Sequence, residues 1–212
     1  MMESLIFDID GTLWDSRQLV AEGYNLQLRD EGLERLFVDA GRLKQLFGKV
    51  MSEIADQLFP EFPPRERYAL MERCMAREKR YLWEMPCEIG YPGVAETLER
   101  LAKNRRLFIV SNCEKGYPEL CMNKLGLTPW ISGHLCFGDT GTGKGRTIRT
   151  LMERYGISSA VYIGDTQGDY EATLEAGLPF VWADYGFGVP QGYDFRIHEI
   201  GELTRLVQEG TL

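Results

Sequence analysis

From Pro86 onward the sequence alternates short apolar runs with segments whose apolar residues recur every three or four positions, and that alternation leaves few folds open. Leu107-Phe108-Ile109-Val110, Leu135-Cys136-Phe137, Val161-Tyr162-Ile163 and Phe180-Val181-Trp182 each read as a strand without a polar face, Phe180 to Trp182 being the last clear one. A strand buried on both sides belongs in a parallel sheet covered by helices. The intervening segments supply them. Pro92-Gly93 opens a helix with Val94, Thr97, Leu98 and Leu101 on one face; Tyr117, Leu120, Cys121 and Leu125 mark a second, closed by Gly126. Ile148, Leu151, Met152 and Tyr155 stripe a third, and a fourth runs from about Asp169 to Ala176, ended by Gly177.

One further strand, Leu5-Ile6-Phe7, stands far upstream of its sheet neighbours, because Ser16 to about Met85 contains no credible strand. Val20, Tyr24 and Leu28 mark one helix there; Leu43, Leu46 and Phe47 a second; Ile54 and Leu58 a third; Tyr68, Met71, Met75 and Leu82 a fourth. Pro63-Pro64 suits the start of the last, and Asp15 or Ser16 the cap of the first. The expected architecture is an α/β Rossmann-like parallel sheet core, residues 1–15 and 86–212, with helices on both faces and an inserted α-helical domain at residues 16–85.

Composition narrows the chemistry. Across 212 residues the formal charge is −8, which repels a nucleic-acid backbone, and no Lys/Arg run offsets it. A small phosphorylated metabolite remains compatible, since a bound cation and a few placed lysines set the local field. The two histidines, His134 and His198, are too few for a His-ligated metal site or a Ser-His-Asp hydrolase, so acid chemistry must come from carboxylates. Cys74, Cys87, Cys113, Cys121 and Cys136 are odd in number and lack a CxxC pair. With no signal-peptide pattern and no apolar stretch near the ~20 residues that span a bilayer, the expectation is a cytoplasmic monomer or homodimer without nucleic-acid or membrane partners.

In open α/β sheets function gathers at the carboxyl ends of the strands. Those ends carry Asp8 and Asp10, then Ser111, then Lys144 beyond the third, then Asp165 and Asp169. With the strand's two-residue period, Asp8 and Asp10 leave the same face, a repulsive arrangement that a divalent cation or a proton relieves. The set suits phosphoryl transfer. Asp8 is the candidate nucleophile, ionised at neutral pH without an activating base. Asp10 is the candidate general acid and then base, a task that requires a raised pKa. Ser111 and Lys144 are placed to hold phosphoryl oxygens. Asp8, the Asp10 carbonyl and Asp165 make an oxygen-rich site for Mg²⁺, with Asp169 in or beside it. Each also has a plain structural reading: a tight turn at Asp10-Gly11, a helix cap at Ser111-Asn112, a solvated Lys144, an N-cap at Asp169.

The string Asp8-Ile9-Asp10-Gly11-Thr12-Leu13, followed by Asp15-Ser16, resembles the first signature of the haloacid dehalogenase superfamily. Val110-Ser111-Asn112 resembles its second, the isolated Lys144 its third, and Gly164-Asp165-Thr166-Gln167-Gly168-Asp169-Tyr170 its fourth. Glu175-Ala176-Gly177 and Asp184 to Gly188 are similar to the tail of phosphoglycolate-phosphatase-like members, and the insert looks like their small helical cap. The resemblance implies a Mg²⁺-dependent phosphatase acting on a small phosphomonoester, with Thr12, Asn112 and Lys49, in a Gly48-Lys49 segment like the loop of such caps, touching substrate. A cap on two narrow junctions is expected to open and close. Two departures are Gly145 after Lys144, where many relatives have proline, and Trp14, where an aliphatic residue is common.

Alternatives stay open at this point. The superfamily's dehalogenases lack the aspartate that stands here at Asp10, and its phosphonate-cleaving members need a cap lysine, for which Lys44, Lys49 and Lys79 are available. A sugar phosphomutase would use the same aspartyl-phosphate. Gly138-Asp139-Thr140-Gly141-Thr142-Gly143-Lys144-Gly145 misses the nucleotide-binding P-loop pattern only by lacking a hydroxyl after the lysine. A phospho-receiver would place its lysine after the last acidic strand end, whereas Lys144 precedes Asp165.

Overall fold

The computed structural model describes residues 2–86 and 89–212. The chain divides into two compact units, Met1–Asp15 with Ile89–Leu212, and Ser16–Glu88. Among the described residues the first unit contains one sheet of six parallel strands, β1 (Ser4–Phe7), β2 (Arg106–Ser111), β3 (Ile131–Cys136), β4 (Ala160–Gly164), β5 (Phe180–Ala183) and β6 (Phe195–Ile197). Their order is β3-β2-β1-β4-β5-β6, so the winding reverses between β1 and β4, where sheets of this kind hold their ligands. Phe7 stands in register with Ile109 and Ile163, which brings the carboxyl ends of β1, β2 and β4 level.

β1, β4 and β5 are buried along their whole length, which is why they read as unbroken apolar runs. The two edges read less well. β3 begins at Ile131 and stops at Cys136, and Phe137 already opens a short helix. Its first four residues are only partly buried, so they carry no apolar run. β6 and the last helix were not expected; only Ile197 of β6 is buried, leaving nothing periodic to see.

The second unit contains α1 (Arg17–Asp30), a 3₁₀ turn at Glu34–Leu36, α2 (Ala40–Lys44), α3 (Met51–Leu58) and α4 (Pro64–Glu84). α1 lies close on α4: Gly23 faces the Glu78 main chain, the Tyr81 hydroxyl donates to Glu22 at 2.7 Å, and the Arg73 guanidinium grips both oxygens of Glu31 at 2.6 and 2.7 Å. The buried face of α4 runs through Leu70, Met71, Cys74, Glu78 and Leu82. Tyr68, expected in that stripe, is exposed, and Met75 and Leu58 are half-buried. Ser16 occupies the N-cap position of α1, with its side chain making no capping hydrogen bond to the first turn.

Around the sheet run α5 (Val94–Ala102), α6 (Tyr117–Lys124), α7 (Phe137–Thr140), α8 (Lys144–Tyr155), α9 (Gln167–Ala176) and α10 (Glu202–Gln208). Ile148, Leu151 and Ala172 of α8 and α9 pack with Ile6, Phe108, Val110, Leu135, Tyr162 and Phe180 on one face of the sheet. A Cβ at Gly145 would overlap the Glu175 carboxylate of α9, so the close approach of these helices explains the glycine after Lys144. No helix among the described residues is long and apolar enough to cross a membrane.

Candidate active site

β1 ends at Phe7, and the chain then winds tightly instead of continuing as a strand. The Ile9 carbonyl accepts from the N–H groups of Thr12, Leu13 and Trp14 at 3.2, 2.8 and 3.3 Å, while Gly11 N–H reaches the Trp14 carbonyl at 2.9 Å. Gly11 makes the turn with φ +88°, and a Cβ there would collide with the Asp165 carboxylate. Gly186 closes on Asp165 from another side with the same consequence. Two glycines thus let the backbone wrap this side chain.

Asp8, Asp165 and Asp169 are all buried, and a carboxylate oxygen from each lies within 4.8 Å of the others. Lys144, the first residue of α8, sends its ammonium among them, 3.0 Å from Asp8 Oδ1 and 2.6 Å from Asp169 Oδ1. Asp165 accepts from Phe187 N–H at 2.7 Å and from the Thr12 hydroxyl at 3.3 Å. Thr166 is the N-cap of α9, not Asp169, which lies three residues on. The Asp169 Oδ2 oxygen accepts from the Thr166 N–H and hydroxyl at 2.9 and 2.6 Å, and Asp169 N–H returns a bond to that hydroxyl.

These surroundings separate the three acids. Burial raises the Asp8 carboxyl to about 7, with Lys144 only partly opposing it. Burial, then the charges of Asp169 and Asp8, hold Asp165 well above the usual carboxylate range. Asp169 is also desolvated, yet Lys144 and the Thr166 donors outweigh that and keep it below its ordinary value. Desolvation of Lys144 is outweighed by Asp169 and Asp8, which keep it protonated. Ionised, three carboxylates against one ammonium leave two negative charges in a buried space. Hard oxygen donors with that excess suit a divalent cation, and the residues present fit one.

The Asp10 side chain has other partners. Its Oδ1 accepts from Trp14 Nε1 at 2.7 Å and from the Tyr117 hydroxyl at 2.9 Å. Ser111 is buried at the end of β2, paired with Cys136, and Asn112 follows it half-buried. Thr12 is fully buried with its hydroxyl on Asp165. Lys49 lies in the other unit, half-buried in the turn between α2 and α3. The glycine-rich run before Lys144 forms α7 and the N-cap of α8, and the lysine it presents is engaged by two carboxylates.

Sequence reasoning overlooked Trp14, Tyr117 and Thr166 as site residues. Tyr117 read as part of an apolar helix stripe, and its reach to Asp10 spans 107 positions, so no local pattern signals it. Thr166 was legible: a hydroxyl residue three before an acid at a helix start is a capping signature.

The sequence matches the haloacid dehalogenase-like hydrolase family over residues 5–183. The phosphoglycolate phosphatase of Aquifex aeolicus is 29% identical over 97% of both chains, and that of Escherichia coli K12 is 26% identical over 91% of this chain and 85% of its own. Among solved structures, a predicted phosphoglycolate phosphatase from Haemophilus somnus superposes with a TM-score of 0.85 at 21% identity, over 98% of each chain. CbbY from Rhodobacter sphaeroides, solved as a mutant with xylulose-(1,5)bisphosphate, gives 0.79 at 19% over 96% of each. The chain therefore belongs to the haloacid dehalogenase-like hydrolases.

Proposed function

We propose that the chain is a Mg²⁺-dependent phosphatase that hydrolyses a small phosphomonoester, phosphoglycolate-like or a sugar phosphate, through an aspartyl-phosphate on Asp8. The observation that carries this reading is the buried triad of Asp8 after β1, Asp165 after β4 and Asp169 in the first turn of α9, with the Lys144 ammonium between two of its members. The names of the curated relatives support the substrate class.

Asp8 attacks phosphorus with a carboxylate oxygen, and the P–O bond to the leaving group breaks as Asp10 gives that oxygen its proton. Asp10 then takes a proton from the water that attacks the aspartyl-phosphate, releasing phosphate and restoring both carboxyl groups. Lys144 and Ser111 hold the non-bridging oxygens over which transition-state charge spreads. Asp8, Asp165 and the Asp10 carbonyl would hold Mg²⁺, which supplies positive charge to the phosphoryl oxygens. Both Asp169 oxygens are already engaged, by Lys144 and by Thr166, so Asp169 orients and neutralises at the edge of that set. Asn112, which follows Ser111 at the end of β2, contributes to substrate binding.

Phosphate release from a panel of phosphomonoesters tests the proposal, with Mg²⁺, with chelator, and with Asp8→Asn. Release that needs Mg²⁺ and disappears in Asp8→Asn is expected. Undiminished release by folded Asp8→Asn overturns the nucleophile.

A further inference from the structure

We infer that Trp14 and Tyr117 are positioning residues for Asp10 that fix which of its oxygens exchanges a proton with the leaving group; the inference rests on the phosphatase reading and extends it. Both donors converge on one oxygen, Oδ1, Trp14 through Nε1 at 2.7 Å and Tyr117 through its hydroxyl at 2.9 Å. They arrive from separate elements. Trp14 is held by the turn after β1, where its own N–H bonds Ile9 and its neighbour Asp15 bonds the Ile89 carbonyl at 2.8 Å. Tyr117 is the first residue of α6. The two rings meet edge to face, centroids 5.5 Å apart at 76°, and both side chains are buried, so the donors are shielded from bulk water and hold each other in place.

A carboxyl oxygen has two lone pairs in the plane of the group. With both of them on Oδ1 engaged, the proton of the acid form resides on Oδ2. Rotating the carboxyl to exchange its oxygens would break both bonds at buried donors, so the group keeps one orientation. An acid held this way presents its proton in one direction, which matters in proportion to the leaving group's need of it. An alkoxide leaves poorly without a proton; a nitrophenolate leaves well without one.

That contrast separates positioning from mere structural support. kcat/KM, which reports steps through phosphoryl transfer to Asp8, is measured with Mg²⁺ for an alkyl phosphate such as glycerol phosphate and for p-nitrophenyl phosphate. The enzymes compared are the unaltered chain, Tyr117→Phe, which keeps the ring and loses only the hydroxyl, and Trp14→Phe. For each variant the alkyl ester is expected to lose about tenfold or more and the aryl ester less than about threefold. Equal losses for both esters, or none for either, overturn the inference. Should Trp14→Phe fail to fold, Tyr117→Phe decides alone. Failure of the phosphatase reading shows elsewhere, as an unaltered chain that releases phosphate from neither ester, and it removes this inference with it.

Discussion

Lys144 and Asp169 meet at 2.6 Å from Nζ to Oδ1, both buried, and Asp169 turns its other oxygen to Thr166. The lysine is thus tied to the start of α9 as well as to Asp8, and removing it strands carboxylates in a desolvated space. In the metal-free chain at neutral pH, Lys144→Met should lower the unfolding free energy by about 3–5 kcal/mol, the usual cost of breaking a buried pair. Urea denaturation measures it. A loss below about 1 kcal/mol would mean the cluster sheds its charge by protonation instead.

Proton and cation should compete at Asp8. Its carboxyl is raised by burial to about 7 from the ordinary 3.8, so between those values the folded chain holds a proton that the unfolded chain lacks. That contribution to stability is present below the ordinary value and is lost as pH rises through about 7; Asp165 shifts in the same direction. Above that pH, on the proposed function, a bound cation would take the place of the proton. Millimolar Mg²⁺ should therefore raise the thermal midpoint by several degrees at about pH 8 and by little at about pH 5.5. The same rise at both pH values would count against the site.

Gly11→Ala tests the wrapping of Asp165. The residue needs φ +88°, and the added methyl would meet the Asp165 carboxylate, so strain and displacement act together. Mg²⁺ affinity, read by isothermal calorimetry, is expected to fall about 10–100-fold, as when a group orienting a metal ligand is lost. Unaltered affinity would show that Asp165 accommodates the methyl.

In the helical unit, Gly23→Ala sets two effects against each other. Alanine gains about 1 kcal/mol over glycine in a helix interior. The new Cβ, however, would lie 2.8 Å from the Glu78 Cα, and a main-chain obstacle cannot swing aside. Overpacking costs about 1–3 kcal/mol, so chemical denaturation should show a net loss. A gain in stability would mean that α1 and α4 readily move apart.

The sequence alone determined the parallel sheet, because strands buried on both faces are made of apolar runs, as Leu5 to Phe7 of β1, Val161 to Ile163 of β4 and Phe180 to Ala183 of β5 are. It also placed Asp8, Lys144, Asp165 and Asp169 at or after strand ends, which is a matter of local pattern and chain order. The edge strands were less legible: β3 and β6 are half-solvated, so burial imposes little on their residues. Tertiary structure decided which atoms meet. The two-residue period suggested a shared face for Asp8 and Asp10, but β1 stops at Phe7 and the turn anchored on the Ile9 carbonyl sends the two side chains to different partners. Asp8 goes to Lys144, 136 positions away, and Asp10 to Tyr117, 107 away. Such distances carry no periodic signal. They are set by the order in which parallel strands lie side by side, and that order exists only once the sheet has formed.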